Sequence, residues 1–143
     1  MATVEQPSTE IVKKIEYPSM RVYVIEALEM LADEFIYEQR LPPPVEWHPF
    51  DHPVHVLFDD TQIASAPEKE LGNIFFNMEE IEAIKKVTQL IDQMLNDIGD
   101  SHADEVYYQS AYWPKIYNSA KNALEIMNKT PFDETGNAIE SEE

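Results

Sequence analysis

The fold class is decided by one stretch, Asn77 to Gly99, which reads N-M-E-E-I-E-A-I-K-K-V-T-Q-L-I-D-Q-M-L-N-D-I-G. Asn77 and Glu80 have the types and spacing of an N-terminal capping box, and Gly99 is the residue type that often ends a helix. The apolar residues between them recur at steps of three and four, as on one face of an α-helix: Ile81, Ile84, Val87, Ile91, Met94 and Ile98. Because these local signals agree, the stretch predicts one long amphipathic helix.

A second helix is predicted on the N-terminal side, from about Ser19 to Arg40. Ser19 can cap the free amide groups, and Leu41 followed by three prolines ends the helix, because proline lacks the amide hydrogen. The predicted inner face has helical spacing: Val22, Ile25, Leu28, Ala32, Phe35 and Ile36.

A third helix is predicted on the C-terminal side, starting at Ser101 with Asp104 at the matching capping position. Its predicted inner face is Val106, Ser110, Trp113, Tyr117, Ala120, Leu124 and Met127. The apolar periodicity continues through Pro114, but proline removes a helical hydrogen bond, so either the helix kinks there or Pro114 begins a separate helix. Two nearly collinear pieces with a kink are the favoured interpretation.

These elements predict a mainly α fold, a single-domain helical bundle of three long helices with a Pro/His-rich connector. A chain of 143 residues has the size of one domain. Residues 1–18 are expected to form a polar N-terminal arm and residues 19–130 the bundle. Residues 131–143 contain five acids and no base, and are expected to form a disordered acidic tail.

Charge is the most unusual property of the chain, since 10 basic and 28 acidic residues give a net charge of −18. Such a chain repels nucleic-acid phosphates and anionic lipid, so nucleic-acid and membrane partners are not expected. No apolar run is long enough for a membrane span, and the first residues do not have the pattern of a secretory signal. The lack of cysteine favours the cytoplasm.

The acidity has three interpretations that the sequence leaves open. It can serve solubility alone, as in many acidic proteins that have no charged partner. It can attract a basic protein, because complementary charges steer association and raise its rate. It can also mimic a nucleic acid.

The connector Val45 to Asp60 holds three of the four histidines. If it is helical, His52, His55 and Asp59 fall on one face at spacings of three and four. Two histidines and one carboxylate are a ligand set used by zinc and by non-haem iron, and His48 is a further candidate ligand. The spacing matches no established metal motif, so the favoured interpretation is that Trp47 and Phe50 anchor the segment while the histidines hydrogen-bond locally.

Tyr108 and Tyr112 are four residues apart and surrounded by acids, which is the composition of a protein-binding patch. Trp47, Asp59 and Asp60 are further candidates for contact with a partner. The alternative, which is favoured for the tyrosines, is that these rings pack beneath the proline-rich connector and complete the core.

Several short motifs occur in a fixed order: L-F-D-D-T at Leu57–Thr61, L-G-N-I at Leu71–Ile74, D-I-G-D at Asp97–Asp100, W-P-K-I at Trp113–Ile116 and A-x-x-A-L at Ala120–Leu124. In this order the chain resembles, over about residues 20–128, a family of small, acidic, uncharacterised bacterial proteins, mainly actinobacterial. The family has no assigned activity. The resemblance therefore implies a bacterial cytoplasmic protein and no particular chemistry.

The leading functional hypothesis is a non-catalytic acidic protein that binds a protein partner, such as an inhibitor or immunity protein of a basic toxin. One alternative is a metal-binding protein or metal-dependent enzyme that uses the segment His48 to Asp60. Another is a structural subunit of a homodimer joined through the third helix. The sequence contains no glycine-rich phosphate loop, cysteine nucleophile or serine nucleophile elbow, so an enzyme is not favoured.

Overall fold

A computed structural model describes residues 12–41 and 50–139 of the chain. The α-helices of these residues are α1 (Pro18–Leu31), α2 (Glu34–Gln39), α3 (Asp51–Val54), α4 (Met78–Ile98), α5 (Asp104–Tyr108) and α6 (Trp113–Met127). A π-helix, His55–Asp60, continues directly from α3, and a 3-10 helix covers Pro67–Glu70. Within these ranges no strand is formed, so the prediction of a mainly helical chain is confirmed.

The helix predicted from Asn77 to Gly99 forms as α4. The Asn77 side chain accepts a hydrogen bond from the Glu80 amide at 3.0 Å, and Gly99 ends the helix with a positive φ of 106°. All of the predicted inner-face residues are buried except Ile98, which is half-buried. Helix α6 packs against both α4 and α1, and α1 also packs against α3.

The first predicted helix is divided into α1 and α2. Helix α1 begins at Pro18, where a missing amide hydrogen costs no helical bond, and ends at Leu31. The Asp33 carboxylate then accepts a hydrogen bond from the Ile36 amide at 3.0 Å and caps the start of α2. A new cap therefore replaces continuation of the first helix. Pro42 to Pro44, which the sequence predicts to end it, lie outside the described residues.

The buried face of α1 differs from the predicted one. Val22 of α1 was expected inside but is 42% exposed, and so was Phe35, which lies in α2 and is 47% exposed. The buried residues of α1 are Arg21, Val24, Ala27, Leu28 and Leu31. The real face is turned by about one residue, because it includes a charged side chain that a hydrophobic pattern does not detect.

Arg21 is completely buried and forms a bidentate ion pair with Glu80, which is also completely buried. Its two terminal nitrogens lie 2.9 Å and 2.7 Å from the two carboxylate oxygens. The same nitrogens donate to the carbonyl oxygens of Ile74 and Met127. Glu80 also accepts a hydrogen bond from the Phe76 amide. The pair thus connects α1, the segment before α4, α4 itself and the end of α6.

The third predicted helix is divided as well. Helix α5 ends at Tyr108 and α6 begins at Trp113, with Pro114 in its first turn. In the intervening turn the Ser110 hydroxyl donates to the Tyr107 carbonyl and accepts from the Tyr112 amide. These local bonds compete with a continuous helix. Val106, expected on the inner face, is 38% exposed.

Residues 131–139 correct the prediction of a disordered tail that starts at residue 131. They form a tight turn in which the Asp133 carboxylate accepts hydrogen bonds from the Thr135 and Asn137 amides. The turn also binds the N-terminal segment, because the Ile15 amide donates to Gly136 and the Ala138 amide donates to Lys13. Composition does not detect such a turn, since its order comes from local hydrogen bonds and from contact of the half-buried Phe132 ring with the distant Phe76 ring at 6.3 Å.

No helix of residues 12–41 and 50–139 has both the length and the apolar character needed to span a membrane.

Candidate protein-binding site

A groove runs between α1 and α3 and encloses about 490 Å³. Its lining consists of Glu26, Glu29, Met30, Asp33 and His52, and these five residues are called the acidic groove below. Glu26 and Glu29 are exposed, whereas the other three are half-buried. The groove therefore presents three carboxylates, one imidazole and one flexible apolar side chain to a partner.

Asp33 of the acidic groove shares its effect on a buried tyrosine with two further carboxylates, Asp51 and Asp104. Burial raises the pKa of Tyr108, and the negative charges of Asp104, Asp33 and Asp51 raise it further. These three carboxylates belong to the starts of three different helices, so the fold brings them toward the same buried ring.

Lysine and arginine are missing from the segments that build the acidic groove. The chain has no lysine or arginine over residues 22–39, and none over residues 50–68. Because α1 after Arg21 and all of α3 lie in these segments, the lining of the acidic groove contains no lysine or arginine. The sequence carried this signal as a long interval without bases, but the predicted site residues did not include it.

Tyr108, a candidate contact residue for which packing in the core was the favoured alternative, is only 1% exposed. Its ring lies 4.6 Å from the Trp113 ring and 6.4 Å from the Phe50 ring, both in edge-to-face geometry. Phe50 belongs to the connector Val45 to Asp60. Tyr108 is therefore a core residue and does not belong to a binding patch.

Tyr112 is half-buried, and its hydroxyl donates a hydrogen bond to Asp97 at 2.7 Å. This hydrogen bond to a carboxylate raises the pKa of Tyr112. The neighbouring Tyr107 hydroxyl donates to the Gly99 carbonyl, also at 2.7 Å. Both hydroxyls thus fasten the turn around α5 to the C-terminal end of α4.

The predicted metal residues divide between two places. His55 Nδ1 and Asp59 Oδ2 lie 2.8 Å apart on the π-helix, and both side chains are mostly exposed. His52 instead lines the acidic groove beside α1. Among the described residues, no group of three or more His, Cys, Asp or Glu side chains has an arrangement that could hold a metal ion. His48 and Trp47 lie outside the described residues.

Asp59 and Asp60, predicted as partner contacts, line a second cavity of about 450 Å³ together with Glu70. The turn after the π-helix is held by Thr61, whose hydroxyl donates to the Val56 carbonyl at 2.9 Å. Glu70 is buried and accepts hydrogen bonds from the Gln62 amide and the Asn73 side chain. Its carboxylate oxygens are therefore already engaged within the protein.

The model of one protein family, described as "Domain of unknown function (DUF7945)", matches residues 15–135. No curated protein and no solved structure matches the chain.

Proposed function

Because the chain belongs to the DUF7945 family, whose function is unknown, we propose a function from the site itself: the protein is a non-catalytic acidic protein that binds a basic protein partner. The observation that carries this proposal is the acidic groove, where Glu26, Glu29 and Asp33 lie together and the lining contains no lysine or arginine. Charge of one sign in a groove attracts a partner of opposite charge and accelerates its association.

The class of partner follows from the same charge. Proteins that bind nucleic acids carry lysine and arginine against the phosphates, and such a surface complements a carboxylate groove. An acidic protein that covers it would also block its activity. We therefore propose the role of an inhibitor or immunity protein toward a basic enzyme.

The proposal is tested by capture of the partner from the native host. The groove variant Glu26→Gln/Glu29→Gln is compared with the control Asp92→Asn/Glu125→Gln, which loses the same charge at exposed positions on α4 and α6. At low salt, we expect the groove variant to retain less of a basic protein than wild-type protein and the control do. High salt should release it, because screening weakens exposed charge pairs.

Two results would overturn the proposal: the capture of no salt-sensitive basic protein, or equal capture by the groove variant and wild type. If a partner is captured, its activity is measured with and without this protein. Loss of activity supports the inhibitor role, whereas full activity limits the function to docking.

A metal-binding function is a second candidate, favoured by the 2.8 Å contact between His55 and Asp59. Zinc and iron are the metals that such a pair would bind with further ligands. Elemental analysis of protein purified without an affinity tag tests this candidate. A sample without bound metal, and with a melting temperature that does not change when zinc or iron is added, would exclude it.

A further inference from the structure

The outward face of α1 forms one continuous stripe. Ser19, Val22, Glu26 and Glu29 are spaced by three or four residues, and Met30 lies beside Glu29 on the same side of α1. Asp33 follows the end of α1, as the cap of α2. The buried residues Val24, Leu28 and Leu31 occupy the opposite side. The acidic groove is therefore the C-terminal part of a longer surface.

The N-terminal part of this stripe leads into a mostly apolar cavity of about 330 Å³. Its lining consists of Pro18, Ser19, Val22, Phe132, Asp133 and Glu134, and it is called the apolar socket below. Val22 is 42% exposed although it is apolar, and Phe132 is half-buried with its ring 5.2 Å from the Arg21 guanidinium carbon. Asp133 and Glu134 add negative charge to an otherwise apolar site.

The socket and the groove lie within reach of one partner segment. Val22 and Glu29 are seven residues apart on α1, which is about 10 Å along the helix axis. A helical partner segment covers the same distance with about seven residues, or two turns. Neither lining contains a lysine or arginine, so the whole stripe complements a segment that is basic and partly apolar.

We infer that the partner docks along α1 through a basic amphipathic helix, with one large apolar side chain in the apolar socket and lysine or arginine side chains over Glu26 and Glu29. This inference rests on the proposed function and specifies how the partner is recognised. The apolar side chain supplies affinity through burial, and the charges supply orientation and rate. The surface along α1 therefore binds a segment with both features more tightly than a basic segment that has charge alone.

A second copy of this chain does not have this chemistry. Two α1 stripes placed together would bring Glu26, Glu29 and Asp33 of each copy close to like charges, which is unfavourable. The occupant is therefore a surface of opposite charge and not the α1 stripe of a second copy.

The test uses a synthetic helical peptide with one phenylalanine and with arginines four and seven residues after it. A permuted peptide of identical composition places the phenylalanine on the opposite side of the arginine face. Each peptide is titrated into the full-length protein at low salt while the backbone amide signals are followed by NMR. We expect the first peptide to shift the signals of residues 18–33 and 132–134, and the permuted peptide to bind about tenfold more weakly.

Variants of the protein test the contributions of the apolar socket and the acidic groove to peptide binding one at a time. Val22→Asp places a charge in the apolar socket and should weaken binding of the first peptide about tenfold. Val106→Asp is the matched control, because Val106 is similarly exposed on α5, and it should bind as wild type does. Glu26→Gln/Glu29→Gln should weaken binding about threefold at low salt, and this effect should disappear at high salt.

The inference is overturned if the first peptide does not bind at about 1 mM, if both peptides bind equally, or if Val22→Asp has no effect. When Val22→Asp has no effect but the glutamate variant still weakens binding, the socket is excluded and the proposed function survives. When neither variant weakens binding of the first peptide, the acidic groove is excluded as a binding site as well, and the proposed function loses its support.

Discussion

Arg21 and Glu80 form an ion pair without access to solvent, which is costly unless their polar atoms are bonded. The two terminal nitrogens of Arg21 meet this requirement with four hydrogen bonds, two to Glu80 and two to backbone carbonyls. The Phe76 ring lies 4.6 Å from the guanidinium carbon and covers it. The arginine Nε atom has no partner, so the pair is held by its other contacts.

Glu80→Gln should lower the free energy of unfolding by about 3–5 kcal/mol, because it leaves the Arg21 charge buried without its counter-charge. Urea denaturation measures the change. Glu79→Gln is the matched control, since Glu79 is exposed on the preceding position and pairs only loosely with Lys129 at 3.4 Å; its effect should stay within about 0.5 kcal/mol. Equal effects of the two substitutions would contradict the role of the buried pair.

The ion pair also shows where prediction from the sequence fails at this scale. Arg21 and Glu80 are 59 positions apart, and no local pattern connects them. The sequence assigned Glu80 correctly to the capping position of α4. Its carboxylate nevertheless binds Arg21 and the Phe76 amide. A hydrogen bond between two charged groups is stronger than one to a neutral amide, so the ion pair determines where this side chain lies.

Tyr108 gives a prediction for alkaline pH. Its pKa is raised in the folded protein, so the unfolded chain loses the tyrosine proton at lower pH, near its ordinary value of about 10. The stabilising contribution of the neutral phenol is complete below that pH and is lost as pH rises toward the folded pKa. The free energy of unfolding should therefore fall above about pH 10.

Tyr108→Phe should reduce this slope, because phenylalanine has no proton to lose. Urea denaturation between about pH 8 and pH 11 measures the slope. Tyr23→Phe serves as the control at a ring that is 48% exposed. An identical slope in wild type and Tyr108→Phe would show that Tyr108 does not couple folding to alkaline pH.

At the scale of elements, the success of prediction depends on whether the deciding contacts are local. Helix α4 was predicted because its cap, periodicity and glycine stop all lie within its own sequence. The break after Leu31 was missed because apolar periodicity continues across it, whereas the division of the third predicted helix, which the structure has after Tyr108, was expected at Pro114. Short polar side chains decide both breaks: Asp33 caps α2, and Ser110 binds the backbone before α6.

Asp33→Ala should remove the cap of α2 and lower the free energy of unfolding by about 1 kcal/mol. Asp33→Asn keeps an oxygen acceptor for the Ile36 amide and should be nearly neutral for stability. Urea denaturation distinguishes the two variants. If Asn destabilises as much as Ala, the charge of Asp33 and not its capping oxygen is what α2 requires.

The turn formed by residues 131–139 depends on Gly136, which has a φ of 93° and approaches the Ile15 backbone closely. A side-chain carbon there would collide with the Ile15 carbonyl oxygen. Gly136→Ala should therefore detach this turn from the N-terminal segment and lower the free energy of unfolding by about 1–3 kcal/mol. Hydrogen exchange should show lost protection of the Ile15 and Ala138 amides.

Gly72→Ala is the control for this prediction. Gly72 also has a positive φ, of 84°, but an added side-chain carbon would meet no atom within 4 Å. It shares the backbone strain without the collision, so it should destabilise less than Gly136→Ala and leave the Ile15 amide protected. Equal loss of protection in both variants would attribute the effect to strain alone.

At the scale of the whole molecule, the net charge of −18 opposes compaction. The exposed ion pairs that offset it within the described residues involve few lysines, such as Lys85 with Glu68 at 3.2 Å. Such exposed pairs contribute little, whereas repulsion acts among many carboxylates at once. Repulsion should therefore exceed attraction in the dependence of stability on salt.

The melting temperature should consequently rise when sodium chloride increases from about 0.01 M to about 0.5 M, because screening removes net repulsion from the folded state. A protein stabilised mainly by exposed ion pairs would show the opposite sign. Asp92→Lys/Glu125→Lys reverses two exposed charges and should raise the melting temperature at low salt while flattening the salt dependence. A melting temperature that falls with salt in wild type would mean that attractive ion pairs dominate. The exposed carboxylates would then be paired within the protein, which would weaken the case that those of the acidic groove bind a basic partner.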